Sequence, residues 1–347
     1  MAATAIDWKS VRRVLLVRLR SIGDTVLTTP SLISLKNFLP SAEIDILLED
    51  WVEPVLDGFD AVNKVIPVGR SASSRILTAW QLRRRNYDVA FNLHGGTTGT
   101  FFTYASGARY RVGYKEYQYS FLYTHLLTSS SDFWKESTTH SAEQQMALLG
   151  FAGVPVAASQ KTKLTVNGDA RRRVTERLPD VGDYALIHPV AAFETKTWPV
   201  ENFARAAEFL SNKGLQPVAI ATGRERATLD ALRNKSKVPV ITMDDLSLPE
   251  IIALAADARI FVGNDSGIAH IAAAVGTPSV VIFGSSNRDH WHPWTDAPFE
   301  MVFERFECQP CAGYECKIFG EPRCILSIPA ERVFGSIERV LSEPRRA

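Results

Sequence analysis

Three short stretches combine residue types suited to handling a phosphorylated substrate. The first, "FVGNDSGIAHIAAAVGTPSVVIFG", covers residues 261–284. An apolar run stops at Gly-Asn-Asp-Ser-Gly, and a helix of small residues follows. Asp265 or Ser266 can cap that helix, leaving N–H groups around Ser266 and Gly267 at its positive end. Such an end binds phosphate or diphosphate without a lysine, and Gly267 lets a ligand approach the main chain closely. A plain capped helix packed on a sheet accounts for the same residues. His270, one turn further on, fits a half-buried histidine bonded to a backbone carbonyl. In the second stretch, "LLVRLRSIGDTVLTTP" (15–30), Gly23-Asp24 lies where the first strand hands over to its helix. A carboxylate there can take the proton of an attacking hydroxyl, and it is equally suited to capping a helix that starts at Thr25. In the third, "HPVAAFETKTWPVENFARAAEFL" (188–210), Lys196 lies in a strand-to-helix loop. It can neutralise an anionic leaving group; standing alone it reads as a solvated surface lysine.

Further candidates lie around these stretches. His94 ends the run "DVAFNL" before Gly95-Gly96, either turned toward a ligand or capping its loop. Arg18, Arg20, Arg70 and Arg75 can attract phosphates of a ligand or simply be solvated. The aromatic run "DHWHPW" (289–294) offers Trp294 as a platform for a sugar ring. Cys308, Cys311, Cys316 and Cys324 follow a C-x2-C-x4-C-x7-C pattern. With one C-x-x-C pair rather than two, reduced thiols packing a loop are expected ahead of a zinc site, and no metal is expected.

Other chemistries lose their support. No G-x-G-x-x-G follows the first strand, and no G-x-x-x-x-G-K-[ST], H-E-x-x-H or G-x-S-x-G occurs. The 39 basic and 38 acidic residues leave a net charge of +1, which argues against a nucleic-acid partner. The start, "MAATAIDWKSVRR", has no apolar core of secretory type, and no run of ~18 apolar residues occurs, so a cytoplasmic location is expected.

The elements that must position these residues alternate along 347 residues. Apolar runs at 11–17, 43–49, 64–68 and 88–94 read as buried strands, with helices at 25–39 (Pro30 bending it, Pro40 ending it), 73–85 and 139–151. Residues 153–183 carry one short strand, one charged helix and several breakers, and read as a connection. A second alternation follows: strands at 184–190 and 216–223, and helices at 200–214, 224–235 and 246–258. The pattern predicts an α/β protein of two Rossmann-like, doubly wound domains facing a cleft, with ligands at the carboxyl ends of the strands. The domains expected are 1–165 and 166–328, with a C-terminal helix from 329 packing back on the first domain.

Taken in order, "RSIGDTVLTTP", "KTWPVENFA" and "GNDSGIAHIAAAVGTPSVVIFGSS" resemble the lipopolysaccharide heptosyltransferase family, glycosyltransferase family 9, across about residues 12–340. The DSG triplet resembles the second heptosyltransferase type. The resemblance implies a glycosyltransferase B fold and an inverting, metal-independent transfer from a nucleotide-sugar donor, usually ADP-heptose, with no further cofactor. It implies Asp24 as general base and Lys196 on the diphosphate. It implies donor contacts at Asp265, Ser266 and Gly267, at Glu225 (ribose hydroxyls) and near Leu246 in "MDDLSL" (adenine edge), with His270 structural first. Ser21, Gly23, Arg20 and His94 are the candidate acceptor contacts. The expected acceptor is a lipopolysaccharide core or related lipid-linked glycan, which is compatible with peripheral contact at the inner membrane. The alternatives are a non-catalytic nucleotide-sugar binding protein and a sugar-nucleotide epimerase on the same scaffold.

Overall fold

The computed structural model describes residues 5–311 and 313–344; residues 1–4, where the expectation of no leader begins, lie outside it. The chain divides into two compact units, Met1–Thr162 and Lys163–Ala347, three residues before the boundary expected from the sequence.

The first unit is a six-stranded parallel sheet, β1 (Arg13–Leu19), β2 (Glu43–Glu49), β3 (Lys64–Val68), β4 (Val89–Asn92), β5 (Tyr110–Tyr114) and β6 (His125–Leu127), in the order β3-β2-β1-β4-β5-β6. Its helices are α1 (Ile22–Val26), α2 (Thr29–Phe38), α3 (Ala72–Arg84), α4 (Gly96–Ala105), α5 (Ser130–Trp134) and α6 (Ser141–Phe151). Leu15, Leu16 and Val17 are fully buried, because a central parallel strand is covered on both faces and must be apolar on both. The single helix expected at 25–39 is two helices. Pro30 sits in the first turn of α2, where a missing N–H costs nothing, so it starts a new helix rather than bending an old one.

The second unit repeats the plan. Its strands are β7 (Tyr184–His188), β8 (Gln216–Ile220), β9 (Ile241–Met243), β10 (Ile260–Asn264), β11 (Ser279–Phe283) and β12 (Phe299–Phe303), all parallel, in the order β12-β11-β10-β7-β8-β9. Counted from its own first strand, this is the same order as in the first unit. The helices are α7 (Gly168–Arg177), α8 (Val200–Asn212), α9 (Arg226–Lys235), α10 (Leu248–Asp257), α11 (Gly267–Ala274), α12 (Arg288–Trp291), α13 (Arg323–Leu326) and α14 (Ala330–Ser342). Where a strand was expected in the 153–183 connection, the structure has α7 alone among the described residues.

The expectation that the C-terminal helix packs back on the first domain is corrected. Ala330, Val333, Ile337 and Val340 recur at helical spacing, are buried, and join the core of the second unit beside Trp198, Phe203 and Val280. Phe334 stacks on Phe209 of α8 with ring centres 4.5 Å apart. The apolar face of α14 is thus spent within its own unit.

This strand order creates a topological switch point in each unit, between β1 and β4 and between β7 and β10. Neighbouring strands lead away in opposite directions there, and the crevice at their carboxyl ends is where such sheets bind ligands.

Candidate active site

In the second unit, the loop after β7 carries Lys196 and is anchored on both sides. Thr195 is buried; its hydroxyl accepts from Ser285 Oγ at 2.9 Å and its carbonyl from the Ser285 N–H at 3.1 Å. Trp198 is fully buried, its N–H donating to Asn264 Oδ1 at 3.0 Å and its indole to the Ile328 carbonyl at 2.9 Å. Gly284 makes this approach possible, since a Cβ there would lie 2.1 Å from the Thr195 carbonyl oxygen. Between these anchors Lys196 reaches back and places its ammonium 2.8 Å from Asp265 Oδ2. The lysine side chain is 20% exposed and the aspartate 5%, so the pair is shielded and one end remains open. Ser286 Oγ donates to the same carboxylate oxygen.

Asp265 and Ser266 follow β10, and α11 begins at Gly267. Ser266 occupies the N-cap position, yet no side chain caps the helix. Its hydroxyl is turned instead to His188 Nδ1, at 3.1 Å, and Asp265 is committed to Lys196. The sequence suggested that one of the two caps α11; neither side chain does, and the Ala269 N–H donates to the Ser266 carbonyl at 3.1 Å, leaving the Gly267 and Ile268 amides without a side-chain cap. Ala269, Ala272, Ala273 and Ala274 are buried along the helix. Gly263 lies opposite His188 in the ladder, and a Cβ on it would come within 3.0 Å of the His188 carbonyl oxygen.

His188, at the end of β7 and against Ser266, is a further candidate site residue that motif reading passed over. Its place was legible, as the last residue of the strand at the switch point. Burial pushes its imidazole down to about 4, against a smaller upward pull from Glu225, so the ring is neutral at ordinary pH. Glu225 stands on the β8 side, accepting from the Thr222 N–H at 3.0 Å and its hydroxyl at 2.8 Å. Leu246 is half-buried in the loop between β9 and α10, one residue before the N-cap Ser247. Lys196 with Asp265, Ser266 with His188, and Glu225 through its charge on His188 are thus linked at the carboxyl ends of β7, β8 and β10. His270 is buried within α11, one turn beyond its open end. Trp294 is buried too, so its ring belongs to the packing rather than to a platform for sugar.

In the first unit, the helix cap is Ser21, and Asp24 is the third residue of α1. The Asp24 carboxylate accepts from the Ser21 N–H at 3.1 Å and its hydroxyl at 3.2 Å, and it pairs with the Arg18 guanidinium. The sequence offered Arg18 as an exposed phosphate attractor. It is buried instead, since its chain lies on β1 and it donates to the Leu93 carbonyl at 2.6 Å while orienting Asp24. Across the switch point stands His94, after β4. Its Nδ1 has no hydrogen-bond partner among the described residues. Burial, then the charge of Arg18, pushes it down to about 4. Arg20 and Ser21 are exposed and Gly23 is buried. Asp24, Arg18 and His94 thus gather at the carboxyl ends of β1 and β4, a carboxylate held by a cation near a neutral imidazole.

The cysteines are free thiols, and all four line one cavity of about 530 Å³ together with Thr195 and Ser285. Burial pushes the Cys311 and Cys324 thiols up, so they stay protonated near neutrality. Among the described residues no three His, Cys, Asp or Glu side chains gather as a metal ion would require.

Known proteins share this arrangement of chain. Lipopolysaccharide heptosyltransferase 3 of Escherichia coli strain K12 is 26% identical over 94% of this chain and 97% of its own length. The glycosyl transferase family 9 structure from Veillonella parvula DSM 2008 superposes with a TM-score of 0.86 at 20% identity, covering 98% of this chain and 100% of that one. Escherichia coli heptosyltransferase WaaC, solved with ADP, gives 0.74 at 19% identity over 94% and 99% of the two chains. The last two likenesses show the glycosyltransferase B fold. The sequence pattern of glycosyltransferase family 9 (heptosyltransferase) matches residues 77–320, well over half of the protein. On that match the chain belongs to glycosyltransferase family 9, the heptosyltransferases, and is a glycosyltransferase.

Proposed function

We propose that this enzyme transfers heptose from ADP-heptose to a lipopolysaccharide-core acceptor, with inversion at the anomeric carbon and without a metal ion. The observation that carries this reading is the open N-terminus of α11 beside the Lys196–Asp265 pair. A diphosphate leaving group gathers charge as the sugar departs. Uncapped amides and an ammonium aimed at one crevice supply the positive charge that a metal would otherwise bring. Glu225, on the β8 side, is suited to the ribose hydroxyls, and the backbone near Leu246 to the adenine edge. The WaaC structure was solved with ADP, which supports an adenine nucleotide here.

Asp24 serves as general base. Arg18 and Ser21 fix its carboxylate, so one oxygen meets an incoming hydroxyl without a search for orientation. The acceptor oxygen loses its proton to Asp24 and attacks the anomeric carbon from the face opposite the diphosphate. The C–O bond to the β-phosphate breaks, and ADP leaves against Lys196. Ser21, Arg20 and His94 are placed for acceptor contact. The acceptor is lipid-linked and met at the inner face of the membrane, with the enzyme in the cytoplasm. The contact proposed is peripheral; no helix among the described residues is long and apolar enough to cross a membrane.

The test is product formation from ADP-heptose and a truncated lipopolysaccharide acceptor in the presence of a chelator, with the new anomeric configuration read by NMR. Inverted product at undiminished rate is expected. No product, a retained configuration or abolition by chelator would each overturn the corresponding part. ADP-, GDP- and UDP-sugars distinguish the donor class: the true donor should raise stability by ~2.7 kcal/mol at about one hundred times its dissociation constant.

A further inference from the structure

The outer surface of α3 and α4 has the chemistry of a membrane-facing patch. Both helices cover the same face of the first sheet, over a core that includes Leu82 and Phe102. On α3 the sheet side holds Thr78 and Leu82, while Ile76, Leu77 and Trp80 point outward, Ile76 at 68% and Trp80 at 55% exposure. On α4 beside it, Phe101 and Tyr104 are likewise outward. The larger apolar side chains of α3 are thus on the face its own fold leaves bare, and single exposed hydrophobics do not cluster so by chance.

Charge is distributed to match. Residues 69–111 contain seven arginines, one aspartate and no lysine or glutamate, in a chain whose net charge is +1, so the remainder is net negative. Arg85 turns inward to Glu43 and Asp45. Arg83 and Arg84 remain exposed with no carboxylate partner among the described residues. Arg84 lies over the Trp80 ring, 4.3 Å from its centre, and Arg83 reaches across Gly107 at the end of α4. Aromatic and aliphatic side chains flanked by arginines describe a surface that inserts shallowly among lipid headgroups while its guanidinium groups meet phosphates.

We infer that the α3–α4 face docks on an anionic lipid bilayer and so brings the enzyme to a membrane-held acceptor. The inference names the surface for the peripheral contact proposed above and rests on that reading for its purpose. Its test needs neither substrate, so the two can fail separately.

The experiment is co-sedimentation of the full chain with vesicles of phosphatidylcholine alone or mixed with phosphatidylglycerol. The parent protein, R83E/R84E and I76S/L77S/W80S are compared. Binding to the anionic vesicles only, weakening as salt rises, is expected of the parent. Each surface charge contributes about fivefold, so R83E/R84E should bind at least ~25-fold more weakly. The apolar variant should lose about tenfold or more. Both should keep the parent's unfolding midpoint and its turnover on a water-soluble, delipidated acceptor. The inference is overturned if the parent binds neither vesicle or both equally, or if the variants bind as the parent does. It is also overturned if the parent forms a dimer that the variants abolish, since a second copy then covers the face. Vesicle binding without transfer from ADP-heptose would leave this inference standing and remove the ADP-heptose reading.

Discussion

Acidification should weaken the second unit through His188, by an amount that follows from its burial. The ring lies buried at the end of β7, 8% exposed, with Nδ1 beside Ser266 Oγ, and burial pushes its imidazole down from an ordinary ~6.5 to about 4. Because the folded pKa lies below the unfolded one, the unfolded chain takes up the proton first as pH falls. Above ~6.5 both states are neutral and there is no penalty; stability is lost as pH drops from there toward about 4, and the loss is complete below that. Linkage over that interval amounts to ~3 kcal/mol, of which about 2 appear between roughly pH 7 and pH 5. His188→Gln keeps a group able to bond Ser266 and cannot titrate. Urea unfolding, followed by tryptophan fluorescence to which buried Trp198 contributes, should show the parent losing ~2 kcal/mol more than the variant over that range. Carboxylates elsewhere titrate alike in both proteins and cancel in the comparison. Parallel stability profiles, differing by less than ~0.5 kcal/mol, would refute the claim that His188 is buried neutral.

Asp24→Asn should lower turnover by ~10²–10⁴-fold while ADP-heptose still binds, measured by steady-state kinetics and calorimetry. Lys196→Met strands the Asp265 carboxylate, 5% exposed, with only Ser286 for company; a melt should show a loss of ~3–5 kcal/mol. Adding Asp265→Asn should restore much of that stability without restoring donor affinity. Gly284→Ala drives a methyl toward the Thr195 carbonyl, 2.1 Å away, and should cost ~1–3 kcal/mol and weaken ADP binding by moving the Lys196 loop.

Much of this was legible in the residues. Strands β1 and β7 carry apolar runs, and β2 and β3 are short stretches rich in Ile, Leu and Val, so both the sheets and the places where chemistry-bearing loops leave them could be read. Elements that escaped are short or ambiguous. Strands β6 and β9 have three residues each, and β5 is "YRVGY", where arginine and glycine mask the period. Helix α4 starts with "GTTGT", which reads as loop; it is held by Asn92, which accepts from the His94 and Gly95 N–H groups at 3.0 Å. Asp24 and Lys196 could be picked out by motif. Their partners could not, because Arg18 lies six residues from Asp24, and Asp265 lies sixty-nine from Lys196, with contact depending on loop anchors such as Thr195 and Trp198. Arg18 shows the limit of composition: an arginine on a buried strand bonds inward, so its type alone said nothing of its exposure.

The contact between the Lys196 ammonium and Asp265 means that the lysine already holds a counterion from its own chain. A simple salt anion that offers only charge must compete with a carboxylate already seated at 2.8 Å and tethered to the chain. On the proposed reading, a diphosphate would engage the α11 amides with one phosphate and the lysine with the other, displacing the tether by reach rather than by charge. The enzyme would then ignore the abundant inorganic phosphate of its surroundings, and the released aspartate would be left to its serine neighbour until the nucleotide departs.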